Sequence, residues 1–229
     1  MSKRPSLYHT MSQRTRTAGW IYSMFQLFFL PGLLMDFATT WRISDGVINF
    51  LYYSLNFGFS LWIFRHFLLE SFGKAGRHLL RFLLAVALGF LAHWAVSQVS
   101  GALLRYFDAG FSNVNDRAIA AMIGSHPRLM AIGLIAMVPV AEECLFRGLI
   151  FGQLYPKSRT LAYVLSAAAF CAVHVMGYIG QIEPLTLFLC AAQYVPAGLI
   201  LAAAYRHCGS IAAPILIHAA ANAAAYLSL

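Results

Sequence analysis

Seven apolar segments, at residues 18–34, 47–64, 82–104, 128–154, 160–179, 186–205 and 211–229, follow one another along this 229-residue chain with polar breaks between them. A membrane-crossing helix needs about 20 predominantly apolar residues. In lipid the backbone must also satisfy its own hydrogen bonds, which leaves helices or a closed barrel, and runs of this length fit helices. The expected fold class is therefore all-α, a polytopic transmembrane helical bundle of about seven spans. Composition agrees: 60% of residues are hydrophobic, 10% are charged and the mean hydropathy is +0.69, against about 25% charged residues in a soluble domain. Intrinsic disorder is excluded by the same balance, because disordered chains are poor in apolar residues and rich in charge.

The formal net charge of +8 would suggest nucleic acid in a soluble protein, but here the cations mark loops. Seven spans put successive loops on alternating sides of the bilayer. With the N-terminus inside, eleven of the sixteen Lys and Arg fall on the inner side, four on the outer side, and Arg147 lies within a span. By the positive-inside rule this favours a cytoplasmic N-terminus and an outer C-terminus, with the bilayer rather than nucleic acid as the partner. The first apolar run leads through Met35-Asp36-Phe37-Ala38 with no small-residue cleavage site, so it reads as an uncleaved span. Cys144, Cys171, Cys190 and Cys208 stand singly in apolar stretches and read as buried thiols. The polar loop 105–127, with Asp108, Asn113, Asn115, Asp116 and Arg117, divides the chain into 1–127, a tail and three helices, and 128–229, a core of four helices. The Ala-rich stretch 219–225 reads as a closely packed helix face. Pro31, Pro139, Pro196 and Pro214 fall within spans and are expected to kink them.

Ionisable residues inside spans are costly, about 2.5–3.5 kcal/mol on insertion scales, and are functional candidates by default. Here they gather in three segments: Glu142, Glu143 and Arg147 in the fourth, His174 in the fifth and His218 in the seventh, with the polar Asn222 one turn further on. Residues i and i+4 of a helix share a face, so Glu143 pairs with Arg147, whereas Glu142 is turned by about 100° and lacks a local counter-charge. A carboxylate so placed suits a general base or acid. Counting from the inner ends of the spans at 1.5 Å per residue puts Glu142, His174 and Asn222 at roughly 18–21 Å and His218 at about 12 Å, close to one layer. Glu143 and Arg147 also have a purely structural reading as an ion pair, and Asn222 as helix glue. His93 reads as a satisfied core residue. Buried Glu, His and Arg mark proton and ion pathways as well. A transporter or relay would line a whole path with polar groups, whereas these stop at one depth.

Glu142 to Gly148 (E-E-C-L-F-R-G), Phe170 to His174 (F-C-A-V-H) and His218 to Asn222 (H-A-A-A-N) resemble the three ordered motifs of the CAAX prenyl protease and bacteriocin-processing (CPBP, or Abi) family of intramembrane proteases. The stretch C-G-S-I-A-A-P-I-L-I-H is similar too, and the resemblance covers roughly residues 128–226. It implies hydrolysis of a peptide bond in a membrane-associated protein or peptide, near its C-terminus. Glu142 would activate water with help from His174, His218 and Asn222 would stabilise the oxyanion, and Glu143 and Arg147 would support them. It further implies a multi-pass protein of the bacterial inner membrane. A non-catalytic membrane immunity or scaffold protein of the same fold is the remaining alternative. No cofactor is expected, with Zn²⁺ held by Glu142, His174 and His218 as the alternative, although neither histidine motif is H-E-x-x-H.

Overall fold

In a computed structural model, residues 11–228 are described; Lys3 and Arg4 of the N-terminal tail lie outside them. Nine helices occur among the described residues: α1 (Gln13–Phe28), α2 (Leu30–Trp41), α3 (Asp45–Arg77), α4 (Leu79–Phe107), α5 (Val114–Ser125), α6 (Pro127–Leu154), α7 (Arg159–Val175, continued by a 3-10 turn to Tyr178), α8 (Pro184–Cys208) and α9 (Ala212–Leu227). Five, α3, α4, α6, α7 and α8, are long and apolar enough to cross a membrane, and α1 with α2 forms a sixth candidate bent by 42°. α9 is a shorter apolar helix. Each of the seven apolar segments of the sequence thus corresponds to a helical segment.

The differences have local causes. Pro31, at the start of α2, withholds an N–H from the preceding turn, and the first span bends there instead of running straight. α3 continues well past the apolar run ending at residue 64, because Arg65, Glu70, Lys74 and Arg77 are good helix formers in a region hydropathy does not score. Its 33 residues reach roughly 50 Å, longer than the ~30 Å hydrocarbon layer. The loop 105–127 is not structureless either. Asn113 accepts a bond from the Asn115 N–H at 3.0 Å and starts the twelve-residue α5.

One stripe of α3 faces the core: Asn56, Ser60, Phe64, Phe67, Leu68 and Ser71 are buried at the three- and four-residue spacing of a helix face. The aromatic part of that stripe joins Phe146, Leu149 and Phe151 of α6, Phe170 of α7 and Tyr205 of α8 in the main hydrophobic cluster. Helices from both sides of residue 127 therefore share one core. The outward faces carry large apolar side chains, including Trp62, Leu80, Leu88, Val99, Leu185 and Phe188. Such a surface would be costly in water and suits a multi-pass integral membrane protein. The four cysteines are free and buried. The alanine-rich stretch packs less closely than expected. Residues 219–223 are half-buried, Ala224 and Ala225 are exposed, and the tight part of α9 is the preceding turn and a half around Ala213, Pro214, Ile217 and His218.

Two contacts fix the helices that carry the polar residues. At Gly198 an added Cβ would stand 3.0 Å from Ala167 Cα, so α7 and α8 approach each other backbone to backbone. The turn between α8 and α9, at Gly209 with φ 70°, is tied to α3: the Ser210 hydroxyl donates to the Ser71 carbonyl at 2.7 Å, and the Ile211 N–H donates to Ser71 Oγ at 2.8 Å. That tie sets where α9 begins, and with it the position of His218 two turns on.

Candidate active site

α6 is interrupted by two π-helical stretches, Ile132–Met137 and Cys144–Phe151, which flank the turn Val138–Glu143. Pro139 accounts for the first. Its ring would clash with the carbonyl four residues back in an α-helix, and inserting a residue in the turn relieves the clash. The Val138 N–H donates to the Gly133 carbonyl, and Pro139, next in line, has no N–H, which leaves the Leu134 carbonyl available. Asn222 Nδ2 of α9 donates to it at 2.8 Å. The sequence marked Pro139 as a kink and Asn222 as a polar residue in a span. In the structure they are one device that joins α9 to α6.

The Glu142–Glu143 pair divides as the helix faces predict. Glu143 and Arg147 are fully buried and bonded, Arg147 Nη1 to Glu143 Oε1 at 3.0 Å. The other arm of the guanidinium, Nη2, donates to the Gly198 carbonyl at 3.0 Å, and the group lies 4.9 Å from the Phe170 ring centre. Arg147 is thus held by a carboxylate, a carbonyl and an aromatic face, the planar fork geometry that guanidinium satisfies. Glu143 Oε1 also accepts from His218 Nδ1 at 3.0 Å. This second bond is not legible in the helix-face reading.

With Nδ1–H committed to Glu143, the His218 Nε2 is turned the other way, 3.9 Å from Glu142 Oε2. The Glu142 side chain keeps 24% of its surface exposed, against 0% for Glu143. His174 is fixed similarly. Its Nδ1 lies 2.7 Å from the Phe170 carbonyl, which can only accept, so Nδ1 donates, and in the neutral ring Nε2 is the acceptor. Phe170 sits between the two imidazoles, its ring 4.6 Å from His174 and 5.8 Å from His218.

Glu142, His174, His218 and Asn222 line one cavity of about 880 Å³. The N-terminal helices also line it, with Gln26 of α1, Pro31 of α2 and Tyr52, Tyr53 and Asn56 of α3. Asn56 is held by Tyr22, whose hydroxyl donates to its Oδ1 at 2.9 Å. Asn115 and Asp116 of α5 and Tyr194 of α8 complete another side. The sequence flagged Asn115 and Asp116 only as markers of a polar loop and did not single out Tyr194, Tyr52 or Tyr53. Enclosure by the protein raises the Asp116 carboxyl above its ordinary value although part of the residue meets solvent, while the bond from Tyr194 and the nearby His174 act the other way. Among the described residues, no group of three His, Cys, Asp or Glu side chains is arranged to hold a metal ion.

These features define a class: a multi-pass helical protein in which polar groups from three apolar helices line one cavity. Residues 124–224 match the family model described as type II CAAX prenyl endopeptidase Rce1-like. That segment contains all three motifs, so the family match and the motif resemblance agree on the CAAX protease (CPBP) family for this part of the chain. No curated protein and no solved structure matches the chain.

Proposed function

We propose that the protein is an intramembrane endopeptidase that hydrolyses a peptide bond of a membrane-associated protein or peptide, near its C-terminus, by glutamate-activated water. The observation that carries this reading is the convergence of Glu142, His174, His218 and Asn222 on one cavity among apolar helices. The partners are the substrate and the bilayer, and the orientation is N-terminus inside, in a bacterial inner membrane.

Peptide hydrolysis needs a base for the attacking water, donors for the oxygen that becomes anionic, and a proton for the leaving amine. Glu142 is the carboxylate of the pair that faces the cavity, and it takes the water proton as the oxygen bonds to the carbonyl carbon. His174, with its Nε2 acceptor, assists in orienting that water. As the carbonyl becomes tetrahedral, the second N–H of Asn222 meets the oxyanion, joined by His218 Nε2–H when the ring is in its imidazolium form. The proton held by Glu142 then passes to the amide nitrogen and the C–N bond breaks. Preorganised donors of this kind contribute roughly 3–4 kcal/mol each in a water-poor site. Glu143 and Arg147 act through His218 rather than on the substrate. In this reading the mechanism is metal-free.

The test is a comparison of protein C-termini and released peptides in membranes from cells expressing the wild type or Glu142→Ala at matched levels. Truncated termini that occur only with the wild type are expected, and they identify the substrate and the bond. Coincident profiles, with a phenotype that both proteins confer, would overturn the catalytic reading in favour of a scaffold.

A further inference from the structure

The polar loop ahead of the family segment does more than connect. Asn113, which is buried, donates from Nδ2 to the Cys190 carbonyl at 3.2 Å and to Gln193 Oε1 at 2.9 Å, and so fastens the start of α5 to α8 across nearly eighty residues of sequence. One turn along α8 from Cys190, the Tyr194 hydroxyl donates to Asp116 Oδ1 at 2.8 Å and accepts from Asn115 Nδ2 at 3.1 Å. A phenol has one donor and room for acceptance, and both are used here. The ring of the same tyrosine stacks on His174, with centroids 4.2 Å apart and planes inclined by 27°. His174 is therefore gripped from one side by Phe170, through its carbonyl and ring, and from the other by Tyr194.

We infer that Tyr194, clamped through its hydroxyl by Asn115 and Asp116, is a positioning residue for His174, and that α5 is the element that sets the plane of that imidazole. The inference rests on the reading of His174 as a participant in hydrolysis, but its geometry does not. A His ring has two broad χ2 orientations about half a turn apart. Only one points Nδ1 at the Phe170 carbonyl and leaves Nε2 as acceptor. A stacked ring with its far end tied down removes the freedom to turn over. A lone tyrosine without the α5 clamp would slide with the histidine.

The experiment uses the full-length protein in lipid nanodiscs with ¹⁵N-labelled histidine, the His174 signals being assigned by their loss in His174→Gln. In the wild type, His174 is expected to give one ring state, Nδ1 protonated and Nε2 bare. In Tyr194→Leu the two nitrogens are expected to exchange, and in Tyr194→Phe and Asp116→Ala the same averaging is expected at smaller amplitude. In membranes, the yield of truncated C-termini should fall about 10- to 100-fold with Tyr194→Leu, the range typical of losing a partner that orients a reactive group. Added to His174→Ala, Tyr194→Leu should produce no further loss. Unchanged His174 resonances in Tyr194→Phe and Asp116→Ala would overturn the inference, whether or not Tyr194→Leu folds. Altered resonances together with undiminished cleavage in His174→Ala would instead overturn the catalytic role of His174 and leave the positioning intact.

Discussion

Glu143 accepts from His218 Nδ1 at the same oxygen, and at the same 3.0 Å, that binds Arg147. The second glutamate of the motif therefore links an ion pair within α6 to an imidazole on α9, while the first faces the cavity. The two residues are adjacent in sequence and opposite in consequence.

This division makes the paired variants diagnostic. Glu142→Gln is expected to abolish cleavage, a loss of about 10²- to 10⁴-fold for a general base, with thermal stability close to that of the wild type. Glu143→Ala leaves the fully buried Arg147 without its carboxylate, and breaking a buried pair costs about 3–5 kcal/mol. It should lower both the unfolding midpoint in detergent and the cleavage yield. Equal melting behaviour of the two variants would contradict the assignment.

Pro139→Ala tests the link between α6 and α9. Alanine restores the N–H that Pro139 lacks, giving the Leu134 carbonyl a backbone partner in competition with Asn222 Nδ2. The expected result is a helix at least as stable and a cleavage yield reduced severalfold, since Asn222 is no longer held. Asn222→Leu should lose activity further, and about 1–3 kcal/mol of stability, because it leaves that carbonyl buried and unpaired. A Pro139→Ala variant with wild-type activity would show that Asn222 is not positioned through Leu134.

Gly198→Ala places a methyl group 3.0 Å from the Ala167 backbone, where no flexible side chain can yield. α8 must move away from α7, and the carbonyl that anchors Arg147 moves with it. Overpacking of this kind costs about 1–3 kcal/mol. The unfolding midpoint should fall, and activity with it. Gly58→Ala, at a site with nothing within 4 Å, is the control expected to leave both unchanged.

Metal dependence separates the two readings of Glu142, His174 and His218. Protein purified without added metal and dialysed against a chelator is expected to cleave at the rate of the untreated protein and to hold far less than one zinc per chain by elemental analysis. Loss of activity on dialysis, restored by stoichiometric Zn²⁺, would replace glutamate-activated water with a metal-bound nucleophile.

Much of this architecture was legible because lipid simplifies the problem. Long apolar runs specify helices, and residues such as Glu142, Arg147, His174 and His218 stand out for being expensive where they are. The pairing of Glu143 with Arg147 follows from helix periodicity alone. What periodicity does not carry is which partner approaches from another helix. The bond from His218 to Glu143 joins residues 75 apart, and that from Asn113 to Gln193 joins residues 80 apart. The first π-turn of α6 depends on how Pro139 is accommodated, which hydropathy cannot distinguish from a kink. The role of α1 to α3 was invisible for a related reason: Tyr52, Tyr53 and Asn56 look like ordinary interfacial residues until α3 is seen to line the same cavity as Glu142.

The tie between Ser71 and the α8–α9 turn reaches beyond its two hydrogen bonds. The segment that matches the family begins at residue 124, yet the knot that sets its last helix is made with a serine in α3. The family-matched part of the chain thus hangs from a peg it does not own. Substitutions at Ser71, outside every motif, would let α9 slip along its axis and carry His218 out of register with Glu143.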